Sequence, residues 1–382
     1  MKKDVDRLAA FGTRHTLSDT TSDTRGIGAA RRWIEAEMRR AGGGFEVALE
    51  VHPVHADGKR IPRDVDVVDV VATLRGSSPR RDYVVAHYDS RCTDPMDAEH
   101  EAPGANDDAS GVAVLLELER VLASRRFEDT VVLLATAGEE QGLVGAKEHV
   151  AALAGAPVRA VLDDDIVGDP AGGDPHVVRV FSKGDDDSPA RELARFAVDV
   201  SAWEGLELAP RLVLRPDRVL RGGDHLAFSD AGIPAIRFVA SGEDFARQHQ
   251  DVRVDHGVAY GDTPDHVSAA YLAAMARTNA AVLVHLANAP DPPGQVRVVA
   301  ELSTDSLLRW TASPSADVAG YEVAWRATTS ATWEHARDVG RATEARLPVS
   351  KDDFFLGVRA YDTRGYRSPV AFARPVAQEG TR

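Results

Sequence analysis

Two adjacent glutamates, Glu139 and Glu140, stand where the apolar run "TVVLLAT" gives way to a turn punctuated by Gly138, Gly142 and Gly145. Other candidates for chemistry occupy equivalent places. "YVVAHYDS" closes on His87 and Asp89, "PGANDDASG" sets Asp107 in a glycine-flanked loop before a helical pattern, and "VRAVLDDDIVG" closes on Asp163, Asp164 and Asp165. Singly, each has an ordinary reading. A histidine at a strand end is usually hydrogen-bonded structure, an aspartate before a helix is usually a cap, and a glutamate pair is usually solvated. Recurring at successive strand ends, they converge carboxylates and imidazole on one rim. Clustered carboxylates repel and raise one another's pKa values, and the stretch 82–140 carries little positive charge close to them in sequence. A divalent cation resolves that conflict, and imidazole mixed with carboxylate suits zinc better than magnesium or calcium. One histidine and one carboxylate per ion, plus a shared carboxylate, make a two-zinc site whose ions lie about 3.5–4 Å apart around a bridging water.

The elements that must position these residues are legible as alternating patterns. Strand-like runs fall at 67–74, 83–87, 130–136, 158–165, 177–181 and 234–239, and helical patterns at 28–40, 110–124, 143–153, 188–200 and 267–287. Apolar strands interleaved with amphipathic helices predict an α/β fold with a mixed, mainly parallel sheet sandwiched by helices. Ligand sites in that architecture lie beyond the carboxyl ends of the strands. The chain changes character at "NAPDPPG", residues 288–294, whose prolines read as a stiff linker. Beyond it, Trp310, Trp325 and Trp333 sit among short alternating runs such as "GYEVAWRA" and "FFLGVRAYD", which predict an all-β sandwich. The expected division is 1–288, a linker 289–294, and 295–382.

Composition removes several function classes. A length of 382 residues exceeds what one core supports and agrees with two domains. The net charge of −15, without any basic block, makes nucleic acid an unexpected partner. Cys92 is the only cysteine, so neither an internal disulfide nor a cysteine-based zinc site can form, and a lone loop thiol is expected to be inert. No apolar run approaches the roughly 18 residues of a membrane span, and "MKKDVDRLAAFGTRH" lacks the apolar core of a signal peptide.

Taken in order, His87 with Asp89, "PGANDDASG", "GEEQGLVGA", "DDDIVG" and "RGGDHLAFSDAGIPAIRF" resemble the motifs of the di-zinc aminopeptidases. That family holds the bacterial leucyl aminopeptidases, with glutamate carboxypeptidases and glutaminyl cyclases as relatives. The resemblance spans about residues 7–287 and implies the zinc exopeptidase fold. It implies that His87 and Asp165 ligate the first zinc, that Glu140 ligates the second, and that Asp107 bridges the two. Asp89 would hold the His87 imidazole as catalytic support, and Glu139 would take a proton from the metal-bridging water. A cis peptide between Asp107 and Asp108 is implied as well. The fifth ligand should be a late histidine four residues before an aspartate, but Arg247 occupies that position before Asp251. His249 is the expected ligand in its place, oriented by Asp251 and the backbone, with His256 and His266 as alternatives. Asp224 and His225 are expected near the pocket wall or in plain packing, and Asp163 and Asp164 are expected to face solvent.

The activity implied is aminopeptidase cleavage of a peptide with a free N-terminus, using two zinc ions per chain. A carboxypeptidase or a glutaminyl cyclase on the same scaffold is the alternative, and a non-catalytic binding protein is another. "LLRWTASPSADVAGYEVAWR" and "FFLGVRAYDTRGYRSP" resemble a fibronectin type III domain, whose partner the sequence does not identify. Family resemblance also implies a secreted or periplasmic setting, with a cytoplasmic one left open.

Overall fold

The protein is described by a computed structural model covering residues 1–377. Eight strands form its main sheet: β1 (Phe45–Val54), β2 (Val65–Leu74), β3 (Arg81–His87), β4 (Thr130–Thr136), β5 (Val158–Asp164), β6 (Val177–Ser182), β7 (Ala209–Val213) and β8 (Ala235–Ala240). Their order is β1-β2-β4-β3-β5-β8-β6-β7. The four central strands run parallel; β1 with β2, β2 with β4 and β6 with β8 pair antiparallel, and the edge strand β7 runs parallel to β6. Because β3 pairs with both β4 and β5, His87 lies opposite Thr136 and Val85 opposite Asp163. Three carboxyl ends thus come level at the centre of the sheet.

The central strands are apolar on both faces because both are covered. Along β4, Val131, Leu133 and Ala135 enter a core with helices Gly26–Ala41, Ala109–Leu122, Pro189–Glu204 and Ala269–Asn288. Val132 and Leu134 point the other way, towards Ala146 and Phe228 of helices Val144–Ala152 and His225–Asp230. Among the described residues, no helix is long and apolar enough to cross a membrane. Asp108 caps the helix Ala109–Leu122 by accepting from the Gly111 amide at 2.8 Å.

Several boundaries differ from the sequence reading. Strand β5 stops at Asp164, so Asp165 is already in the loop. The last long helix starts at Ala269 behind a Ser268 cap, and His266 belongs to the preceding 3-10 turn Pro264–His266. The sequence reading passed over β1, β7, the helices Lys2–Ala9 and His225–Asp230, and the hairpin Arg253–Asp255 with Val258–Tyr260. These are short or, in β1, carry charge on the covered face.

Beyond Asn288 the chain forms two four-stranded sheets around Val296, Leu308, Trp310, Tyr321, Val323, Leu347, Leu356 and Val358. The segment is fastened to helix Pro189–Glu204 through buried charge. Arg195 donates to the Ala331 carbonyl at 2.8 Å and pairs with Glu192, which accepts from Trp333 Nε1 at 3.0 Å. Arg326 pairs with Asp186, and Arg359 with Asp199 at 2.8 Å. Arg195→Ala removes a side chain only 1% exposed and strands Glu192 in the seam. Losing one partner of a buried pair costs about 3–5 kcal/mol. Equilibrium urea unfolding, followed by tryptophan fluorescence, is expected to show a lower midpoint; an unchanged midpoint would mean that the seam adds no stability.

Candidate metal centre

Strand β3 delivers His87 to the rim, where its Nε2 lies 3.1 Å from Asp107 Oδ1 and 3.8 Å from Asp165 Oδ1. The other oxygen of Asp107, Oδ2, is 3.0 Å from His249 Nε2, which lies 3.0 Å from Glu140 Oε1. Two sets of three donors result, His87–Asp107–Asp165 and Asp107–Glu140–His249, each with its ligand atoms within 4.8 Å of one another. Asp107 offers one oxygen to each set. Its backbone is held from behind by Asp262, which accepts from the Asn106 amide at 2.9 Å and the Asp107 amide at 2.7 Å. The Asp107–Asp108 peptide is cis.

The Glu139–Glu140 turn is built by neighbouring aspartates. Asp89 accepts from the Glu139 amide on Oδ1 and the Glu140 amide on Oδ2, both at 3.2 Å. Its backbone carbonyl is 3.2 Å, and its Oδ1 3.5 Å, from His87 Nδ1. One residue thereby fixes both the imidazole and the turn. Burial opposes charge on Asp89, but the imidazole and the two amides outweigh it and hold the carboxyl below its usual range. Asp69 accepts from the Ala137 amide at 2.8 Å. The helix that follows enters so closely that a Cβ on Gly145 would stand 2.3 Å from Asp69 Oδ1 and 2.5 Å from the Ala137 carbonyl oxygen. Glycine is required there by space alone.

Glu139 faces a cavity of about 520 Å³ that Asp107, Glu140, Asp165 and His249 also line. Burial pushes its carboxyl well above the usual range, and the charges of Glu140, Asp165 and Asp224 add to that push. A carboxyl group raised this way exchanges protons closer to neutral pH than a solvated glutamate.

The donor sets fit zinc. Asp165 Oδ1 and Glu140 Oε1 are buried without a hydrogen-bond partner, and each faces a histidine nitrogen. Such orphaned oxygens are uncommon in folded proteins, and imidazole with carboxylate is a zinc-type set. The expectation of little positive charge nearby needs correction. Arg237 Nη2 lies 2.7 Å from Asp165 Oδ2, and Arg91 Nε lies 3.2 Å from Glu140 Oε2. Each arginine takes one oxygen of a carboxylate and leaves the other aimed into its cluster.

Further placements depart from the sequence reading. Asp163 and Asp164 do not face solvent, because β5 is central and covered on both sides. Asp163 Oδ2 lies 3.1 Å from both the His225 amide and His225 Nδ1, and Asp164 accepts from Asn279 at 2.8 Å. His225 is fully buried in that packing, and Asp224 accepts from Thr136. His256 is 96% exposed on the hairpin, and His266 lies 3.3 Å from Asp265; neither joins a donor set. Asp251 does not orient His249. It exchanges hydrogen bonds with Thr93, while Arg91 Nη2 sits 2.8 Å from His249 Nδ1. Asp262, Gln248 and Arg237 escaped sequence reasoning, although Gln248 donates to Asp107 Oδ2 at 3.0 Å. Arg237 stands inside the "RGGDHLAFSDAGIPAIRF" run and Gln248 next to His249, but nothing in their spacing marks them as partners of Asp165 and Asp107, and Asp262 lies 155 residues from Asp107.

Residues 69–283 match peptidase family M28. A probable zinc metalloprotease of Leptosphaeria maculans is 44% identical over 401 residues, which cover 97% of this chain and 93% of the relative. Among solved structures, the zinc aminopeptidase BSAP of Bacillus subtilis superposes with a TM-score of 0.56 at 14% identity, covering 74% of this chain and 93% of that one. The glutaminyl cyclase of Fimbriiglobus ruber superposes with a TM-score of 0.57 at 20% identity, covering 74% and 92%. At these identities the likeness speaks to fold, whereas the curated relative and the family match extend through the sequence itself. The chain belongs to peptidase family M28.

Proposed function

We propose that this chain is a zinc-dependent exopeptidase, an aminopeptidase that removes the N-terminal residue of peptides. The observation that carries this reading is the pair of three-donor sets sharing Asp107, with Glu139 beside them on the wall of one cavity. His87, Asp107 and Asp165 would hold one zinc, and Asp107, Glu140 and His249 a second. Bound zinc supplies Lewis acidity towards a peptide carbonyl and lowers the pKa of water.

The chain's own residues divide the remaining work. Glu139 takes the proton from the attacking water and returns it to the leaving amine, a role suited to a carboxyl raised by its surroundings. Asp89 keeps Glu139 and Glu140 pointing to different tasks by fixing both their amides. Arg237 and Arg91 each take one oxygen of Asp165 and Glu140 and leave the other turned inward. The zinc metalloprotease and zinc aminopeptidase named among the similar proteins support the hydrolytic reading.

A second reading is glutaminyl cyclase, favoured by the similar fold of the Fimbriiglobus ruber enzyme. Two donor sets rather than one favour the peptidase. The segment 295–377 fits a fibronectin type III-like cap, since its Arg359 pairs with Asp199 of helix Pro189–Glu204, whose Arg195 and Glu192 bond to Ala331 and Trp333.

Aminoacyl chromogenic substrates, N-blocked peptides and glutaminyl peptides separate the readings in one panel, run with and without a chelator. Cleavage confined to free N-termini and abolished by the chelator is expected; pyroglutamate formation would favour the cyclase. Glu139→Gln is expected to keep the wild-type metal content while kcat falls at least about a hundredfold. His249→Ala is expected to lose one zinc and most activity, with His256→Ala and His266→Ala unchanged in both. Metal analysis and kinetics on the same samples decide these outcomes.

A further inference from the structure

Edge strand β1 changes along its length: Phe45 and Val47 pack against the main core, but further on the apolar side is left open. Val51 is left 55% exposed, while Glu50 and His52 turn inward beneath helix Val144–Ala152. An amphipathic strand puts its apolar residues on the covered side. Here the covered side also opposes two acids, because Glu50 pairs directly with Asp69 across the β1–β2 ladder. Like charges in that position destabilise a sheet.

The side chains converge. His52 Nε2 lies 3.2 Å from Asp69 Oδ2 and 4.0 Å from Glu50 Oε2, and the three donor atoms lie within 4.8 Å of one another. The Asp69 side chain is 0% exposed, and its Oδ2 has no hydrogen-bond partner; neither has His52 Nε2. His149 Nδ1 stands 2.6 Å from Glu50 Oε2 and orients that carboxylate, as partners of ligating groups do.

We propose that Glu50, His52 and Asp69 form a further divalent-metal site, of zinc-type donors, separate from the cavity that holds Glu139. Three protein donors leave a fourth tetrahedral position for solvent, and the half-exposed Glu50 provides the way in. The site has a mechanical link to the candidate centre. Asp69 faces the metal position with Oδ2 while Oδ1 holds the Ala137 amide, two residues before Glu139. An ion there fixes the carboxylate that fixes the turn.

The test uses the full chain carrying His87→Ala and His249→Ala, which removes one nitrogen from each cavity set. After stripping with a chelator, titration with zinc ion is expected to show one saturable site and a rise in Tm on binding. Adding His52→Ala or Glu50→Gln should abolish that site, and His149→Ala should weaken it about 10–100-fold. Glu50→Gln is nearly isosteric at a half-exposed position, so it keeps the test valid should His52→Ala fail to fold by circular dichroism. A background that binds no zinc, or binding that survives Glu50→Gln, would overturn the proposal and leave the four residues as a plain ion-pair network.

Discussion

The geometry of the rim depends on a backbone segment of four residues, 137–140, clamped by two buried carboxylates. Asp89 receives the amides of Glu139 and Glu140, and Asp69 receives that of Ala137. Neither aspartate lies on the turn itself. They come from just past the end of β3 and from the middle of β2, so the turn takes its shape from the sheet. A glutamate pair on a free loop would point wherever solvent and repulsion sent it. With its amides held, the pair has a fixed divergence, one side chain towards His249 and one towards the cavity. Buried carboxylates are costly unless well bonded, and these are bonded to the backbone whose position they determine.

The same economy governs charge. Five acids lie close together at the centre of the rim, yet Asp165, Glu140 and Asp89 each direct an oxygen to an arginine or an amide. Asp107 differs: both its oxygens face imidazoles, while its backbone amide is received by Asp262. Repulsion is therefore met group by group, which explains how a sheet can end in acids without fraying. It also explains why the arginines come from β8 and from the loop after β3 rather than from one positive patch.

Much of this was legible in the sequence, for identifiable reasons. Central strands read as apolar runs because both their faces are covered, and their acidic ends stood out against that background. His87, Asp107, Glu139, Glu140 and Asp165 could be picked out because each interrupts a strong pattern. Strand β1 was illegible, since Glu50 and His52 reverse the polarity that marks a half-covered strand. Asp163 and Asp164 were misread because charge usually signals solvent, whereas here His225 and Asn279 meet it inside the packing. Arg237 and Asp262 act across 72 and 155 residues, a span over which spacing says nothing.

The hydrogen bonds exchanged by Thr93 and Asp251 join points 158 residues apart. They hold the loop that carries His249, a residue with a left-handed backbone at φ 56°. Closing so long a segment is entropically expensive until the intervening sheet has formed. In folding terms the latch is a contact of very high sequence separation, of the kind that forms late. On that ordering, the parallel core and the approach of His87 to Asp107 are expected to form before His249 is in place. Completion of the rim therefore reports completion of the fold, and a chain arrested short of that point is an incomplete peptidase.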